Sequence, residues 1–558
     1  MSQRWRLALL AVAAAVAVLV WTEQAPQPES NPTPASDPPR SAALYDPLAA
    51  ARAETRIGNV EAGIPAQCYT DPAEGHNPCW VCHTGANGRN RTDDLDRQRH
   101  YRFTTRARHN PWDNLFVDRR AGIDAIGDDE ILAYIRQDNV AALRTALRDV
   151  PQKLAWRPDL DYTQGFDDGF ARDGSGWRAF RYKPVPAAFW PTNGATDDVL
   201  VRLPERFRQE AGHQPSRMIY RINLALLEAA IAIADSVADA ELTLPTEPLD
   251  ETVAGLDLDG DGTLGTALMI RGLPSHYAGA AADAPVRRYD YPVGTEFLHG
   301  VRYIDPDAPD LLSRRFKELR YAVKRAHLDD AALQRRVDAD AVTQQIGAIP
   351  RYAGTALTGQ TNDYAWRLFG YIEDAQGRLR LQTREEQLYC MGCHTGIGVT
   401  VDQTFSLPRK LPGAAGWGLQ TLAGMQDVPQ AGSKTPEILQ FLQRAGAGDE
   451  FRANDEMLQR FFPDGTLDET LVRRAAPGGP DDIRSLIVPS RARALALNKA
   501  YMVLVREQSY RLGRTPLLQP APAALRQIER DDTGLEASGK VYDDGRLWLD
   551  WASTRPAP

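Results

Sequence analysis

Thr295-Glu296-Phe297-Leu298-His299-Gly300-Val301-Arg302-Tyr303-Ile304 alternates in the manner of a β-strand. Side chains along a strand point to opposite faces with a period of two, so Phe297, His299, Val301 and Tyr303 fall on one face. His299 is then expected to point into apolar surroundings. Working outward, residues 177–182 and 199–203 read as further strands, and 366–372 with 378–381 as a hairpin turning through Asp374-Ala375-Gln376-Gly377. The helical period appears elsewhere. Asp128 is placed to cap a helix carrying Ile131, Leu132 and Ile135, and 219–234 is apolar almost all round and hence buried. Ser490 reads as the N-cap of a long helix with Leu497, Tyr501 and Leu504 on one face and Gly513 at its end. The expected fold class is α+β, mainly helical and loop-rich, with several β-hairpins.

On either side of this middle stand Cys79-Trp80-Val81-Cys82-His83 and Cys390-Met391-Gly392-Cys393-His394, which use four of the five cysteines. Cys-x-x-Cys-His is the attachment signal for c-type haem. Two thiols separated by two residues can each form a thioether to a haem vinyl, while the adjacent imidazole reaches the iron. A zinc ligand set or a disulfide hairpin is the competing reading of each pentapeptide. On these motifs the chain resembles the di-haem c-type cytochromes, and the resemblance covers little beyond them. It implies two covalent haem c groups, tethered at Cys79, Cys82, Cys390 and Cys393, with His83 and His394 as proximal iron ligands. The expected fold then wraps helices and loops around the two haems. The function it implies is electron transfer between periplasmic redox partners. A di-haem oxidoreductase, similar in haem count to the cytochrome c peroxidases and rubber oxygenases, and a docking component of an electron conduit are the alternatives.

What faces each iron decides between carrier and catalyst, because a closed sixth position favours electron transfer and an open one admits a substrate. His299 and His276 are the candidate distal histidines, and Met425, downstream of His394 in Gly424-Met425-Gln426, is the candidate distal thioether. Each also has a plain structural reading, as a hydrogen-bonded histidine or a core methionine. Cys68, the remaining cysteine, reads as an axial thiolate, a reactive thiol or an inert buried residue. Asp257-Leu258-Asp259-Gly260-Asp261-Gly262 reproduces the first half of an EF-hand loop, which makes Asp257, Asp259 and Asp261 candidate calcium ligands. Position 12 of that loop is Leu268 rather than Glu, so a further ligand must come from elsewhere in the fold.

Net charge of -9 with 25% charged residues excludes a nucleic-acid binder on global grounds. Locally, residues 89–120 hold nine arginines against five aspartates, a strip suited to haem propionates, to an acidic partner, or simply to solvent. Arg4 and Arg6 precede an uncharged apolar run ending at Trp21, the order of a secretory signal or a membrane anchor. No lipid-attachment cysteine follows that run, Cys68 being the first in the chain. The expected organisation is a signal or inner-membrane anchor (1–21), a proline-rich linker (22–43), a first haem region (44–160), an intervening α+β region with the calcium loop (161–355), a second haem region with C-terminal helices (356–530) and a polar tail (531–558).

Overall fold

Leu312–Lys324 carries six charged side chains, yet it is the longest strand among the described residues. The structure, a computed structural model, describes residues 45–554 apart from 72–75, 87–88, 90–97, 100, 153, 187–189, 233–241, 346–350, 447–450, 453 and 543–547. The N-terminal apolar run and the whole proline-rich spacer lie outside the described residues, as do Arg91 and Arg97 of the basic strip. Asp46–Pro558 forms one unit, which contains both Cys-x-x-Cys-His motifs.

In chain order the strands are β1 (Phe166–Asp167), β2 (Phe170–Ala171), β3 (Arg178–Phe180), β4 (Thr196–Arg202), β5 (Thr243–Asp250), β6 (Thr266–Arg271), β7 (Glu296–Ile304), β8 (Leu312–Lys324), β9 (Ala353–Thr355), β10 (Gly359–Thr361), β11 (Trp366–Glu373) and β12 (Leu379–Leu381). Ten of them form one antiparallel sheet in the order β1-β2-β3-β4-β7-β8-β11-β10-β9, with β12 on β11; β5 and β6 pair separately. The helices that matter below are α1 (Asp128–Ile135), α2 (Arg217–Ile231), α3 (Arg384–Met391), α4 (Glu437–Ala445) and α5 (Arg491–Glu507). The expectation of a mainly helical, loop-rich body is therefore corrected: the centre is a large antiparallel sheet.

Burial on both faces explains why the sheet dominates. Val199, Val201, Phe297, Trp366 and Leu368 face a core that includes α2, Cys390 and Met391. Leu200, Leu298, Leu319, Tyr321, Phe369 and Tyr371 face a second core with Trp156 and Trp177. The charges of β8 are tolerated inside because each finds a partner. Lys317 donates to the Gly194 carbonyl, Lys324 pairs with Asp402 at 2.5 Å and Arg315 with Glu373 at 3.1 Å. In β7 the register slips after Val301, so the strict alternation stops before Tyr303, which joins Tyr501 and Ile372 in a separate cluster.

Local signals at the helix ends are mostly as the residue types dictate. Ser490 caps α5 by accepting from Arg493 N at 3.2 Å, but Gln508 in the left-handed region closes the helix, ahead of Gly513. Gly127 is the N-cap of α1, and Asp128 is its first helical residue. Thr383 and Glu386 form a reciprocal capping box at the start of α3. Remote carboxylates complete that start: Glu54 accepts from the N–H groups of Arg384 and Glu385 at 2.6 and 3.0 Å, and Glu385 accepts from Gly58 and Asn59 at 2.6 and 3.0 Å.

This clasp brings the early and late segments together. A side chain at Gly392 would collide with the Gly63 carbonyl, and one at Gly398 with the Thr84 carbonyl. Both obstacles are backbone atoms, so neither can swing aside. Gly398→Ala is expected to cost about 1–3 kcal/mol of stability, the usual range for overpacking, read as a lowered urea midpoint with unchanged m-value.

Candidate functional site

The two pentapeptides adopt the same turn. Within the first, the N–H groups of Cys82 and His83 both donate to the Cys79 carbonyl, at 3.1 and 2.9 Å; within the second, those of Cys393 and His394 donate to the Cys390 carbonyl, at 3.3 and 3.0 Å. Positions i, i+3 and i+4 of a helical turn share one side. Both thiols and the imidazole of each motif are thereby gathered on a single face. Asn77 caps the first turn, accepting from Cys79 N at 3.0 Å and Trp80 N at 3.2 Å. The histidine carbonyl is held by a side-chain amide in each case, Gln98 on His83 and Asn362 on His394. Beyond the motif the sequence repeats only the Thr-Gly that follows each histidine, so the shared anchoring appears only in three dimensions.

His394 is oriented as a metal-ligating histidine would be. Its Nδ1 lies 3.2 Å from the Gln403 carbonyl, which leaves Nε2 as the ligating atom. Burial, with Arg320 and His299 nearby, pushes its imidazole down to about 4, so the ring is neutral near pH 7. None of the five cysteines is paired in a disulfide. Burial pushes Cys79 and Cys393 up to about 11 each and also raises Cys390 and Cys68. Cys68 sits close enough to Cys79 and Cys393 for their charges to oppose its ionisation. Cys68 and Cys79, near neighbours in sequence, thus meet Cys393 from far along the chain, and Cys68 belongs to this cluster as a half-buried neutral thiol.

One polar strip crosses the sheet face toward the second motif. His299 in β7 stands opposite Arg320 in β8, and Arg320 is felt electrostatically at Cys390, Cys393 and His394. His299 Nε2 meets Asp197 Oδ2 at 2.9 Å, and Tyr182 donates to the same oxygen. The apolar setting expected for His299 is corrected to this hydrogen-bonded one. Asp197, Tyr182 and Arg320 were not among the residues singled out from sequence; the pair Asp197-Asp198, running into the apolar Val199-Leu200-Val201, is a signal for Asp197 alone.

The other candidates lie elsewhere. His276 is exposed and bonded to Ser275 Oγ at 2.9 Å, with no described contact to either motif. Met425 is buried in the cluster of Trp80, Val81 and α4, which is the environment of the first motif rather than the second. In the basic strip, Arg108 is spent on the Ile528 carbonyl at 2.9 Å, Arg119 on Glu507 at 2.8 Å and Arg120 on Asp118 at 2.5 Å. Asp257 and Asp259 come together with Glu251, whose ligand atoms lie within 4.8 Å of theirs. Glu251 is buried and accepts from Leu258 N at 2.5 Å and Gly265 N at 2.8 Å. It stands on the N-terminal side of the loop with both oxygens engaged by backbone N–H groups, while Asp261 is turned to Thr263 at 2.7 Å.

The likeness to known proteins extends over the folded body, both motif regions included. A lipoprotein family matches residues 52–462. A protein of Aquifex aeolicus (strain VF5) described as an uncharacterized lipoprotein is 30% identical over 554 residues, covering 86% of this chain and 91% of the relative. No solved structure matches. Both findings agree with export, and among the described residues no helix is long and apolar enough to cross a membrane. They overturn the reading as a periplasmic electron-transfer cytochrome, together with its oxidoreductase and conduit-docking alternatives, because that reading rested on ten residues whereas the likeness to lipoproteins spans the sheet and both motif regions. The chain belongs to this lipoprotein family.

Proposed function

We propose that this exported lipoprotein-family protein binds two haems covalently, one at each Cys-x-x-Cys-His turn. The observation that carries the reading is the recurrence of one turn at both sites, with Cys, Cys and His on one face and the histidine carbonyl held by an amide. Cys79, Cys82, Cys390 and Cys393 would supply the tethers, and His83 and His394 the iron ligands. A haem so held supplies an iron whose reactivity is set by what lies beyond its proximal histidine. Around the second site the chain itself does three things: Gln403 orients His394, Asp197 with Tyr182 orients His299, and Arg320 places a positive charge beside the thiols. Glu251, Asp257 and Asp259 would hold a structural calcium ion in the same body. The finer reading of location is the periplasmic side, tethered through residues 1–21.

The test is a haem count on protein secreted from a host with a haem-attachment system. Two haem masses retained through denaturation and organic extraction, falling to one when Cys390 and Cys393 are both changed to alanine, are the expected result. A chain of unmodified mass from such a host overturns the reading.

A further inference from the structure

A cavity lined by no residue of either motif lies where the Pro191–Asn193 turn, the start of α5 and residues 516–519 meet the segment around Arg452. It measures about 30 Å³, room for about two or three water-sized atoms, and its lining includes Asn193, Arg452 and Arg493. Two guanidinium groups lie close enough that the charge on Arg493 weighs on Arg452. Like charges are costly to hold together in a part-buried site; Glu456 and Asp455 offset part of that cost at Arg493, and a bound anion lowers it further.

The third polar group points to a ligand independently. Asn193 is 6% exposed, and both terminal atoms of its amide are buried without a hydrogen-bond partner. A buried amide left so forfeits free energy unless something else completes it. Its surroundings are fixed, since Asn454 donates to Thr192 Oγ1 at 2.7 Å and Arg493 Nε to the Thr192 carbonyl at 3.4 Å. Asp455, exposed at the rim, is the one carboxylate in the lining.

We propose that this cavity binds a small free oxyanion of the carboxylate or phosphate class, seated between Arg452 and Arg493 and completed by Asn193. The guanidinium groups supply charge-assisted donors with the fork geometry that suits such oxygens. The amide nitrogen of Asn193 donates to the ligand, and its oxygen accepts from a hydroxyl or protonated oxygen of the same molecule.

The experiment is calorimetric titration of the full chain with inorganic phosphate and with glycolate at constant ionic strength, with chloride as control. Saturable binding of one of the two is expected, weakened about tenfold or more in Arg452→Gln, as for loss of a charged hydrogen bond. Asn193→Asp, which keeps the shape and adds a like charge, is expected to abolish it. Absence of saturable binding by the unaltered chain overturns the proposal, as does binding equally tight in folded Arg452→Gln and Asn193→Asp. Cys390→Ala with Cys393→Ala distinguishes the source of the oxyanion. Unchanged affinity supports a free ligand, whereas binding seen only in that variant assigns the seat to a tethered haem's propionate and overturns it.

Discussion

Arg409→Met is expected to lower the unfolding free energy by about 3–5 kcal/mol, the range for removing one partner of a buried ion pair. Arg409 and Glu437 are each 1% exposed and meet through two bonds, of 2.8 and 2.6 Å. Arg409 also donates to the carbonyls of Lys183 at 2.7 Å and Pro184 at 2.8 Å, so its loss strips two buried carbonyls and leaves Glu437 with Lys183 at 3.0 Å as its remaining cation. The effect reaches the first motif. Asp427, paired with Lys183 at 2.7 Å, accepts from Ile438 N at 2.9 Å and Leu439 N at 3.2 Å, capping α4 from a distance. The carbonyl of Arg444, in the same helix, accepts from Asn77 N at 2.7 Å, and Asn77 is the cap of the Cys79 turn. Arg409→Lys, which keeps the charge but not the fork, should fall between the two in urea unfolding.

Glu318→Gln is the second large effect, and its size should depend on pH. The Glu318 carboxylate lies between Arg320 at 2.9 Å and Arg514 at 3.0 Å, with Gln382 donating at 3.0 Å. Against the cost of burial, those cations hold it down to about 2, from an ordinary value of 4.5. A carboxyl depressed on folding stabilises above its unfolded pKa and loses that contribution as pH falls through the folded value. The difference between parent and variant is therefore expected to be about 3 kcal/mol near pH 7 and to shrink between pH 4.5 and pH 2. Thermal melts across that range provide the check. A difference that is flat with pH would mean that shape, not charge, is what Glu318 contributes.

Legibility divided along the line between apolar and paired-polar burial. The strands 366–372 and 378–381 could be read because Trp366, Leu368, Phe369 and Tyr371 are apolar and a turn tetrapeptide joins them. β8 could not, because Arg315, Lys317, Glu318 and Lys324 look like a solvated surface until their partners, from Gly194 to Arg514, are known. Underestimating the sheet followed from that strand, which sits between β7 and β11. At the motifs, the spacing of Cys79, Cys82 and His83 already implied a shared face. Their meeting with Cys68 and Cys393 was not legible, since tertiary folding alone creates it. The acidic loop shows the same limit: three aspartates obeyed a known spacing, while Glu251 precedes them and follows none.

The carboxylate clasp on α3 also bears on the order of assembly. Most pairs in the sheet join strands that are near neighbours along the chain, such as β7 with β8 and β10 with β11. Gly58 reaches Glu385 across 327 residues. Loop closure penalises such a contact when it must form alone, but the penalty grows only with the logarithm of loop length, and a sheet already in place removes most of it. The segment bearing Cys79 should thus dock onto a preformed sheet. Until then the first motif stays accessible in a newly exported chain, after the core beside the second has begun to close.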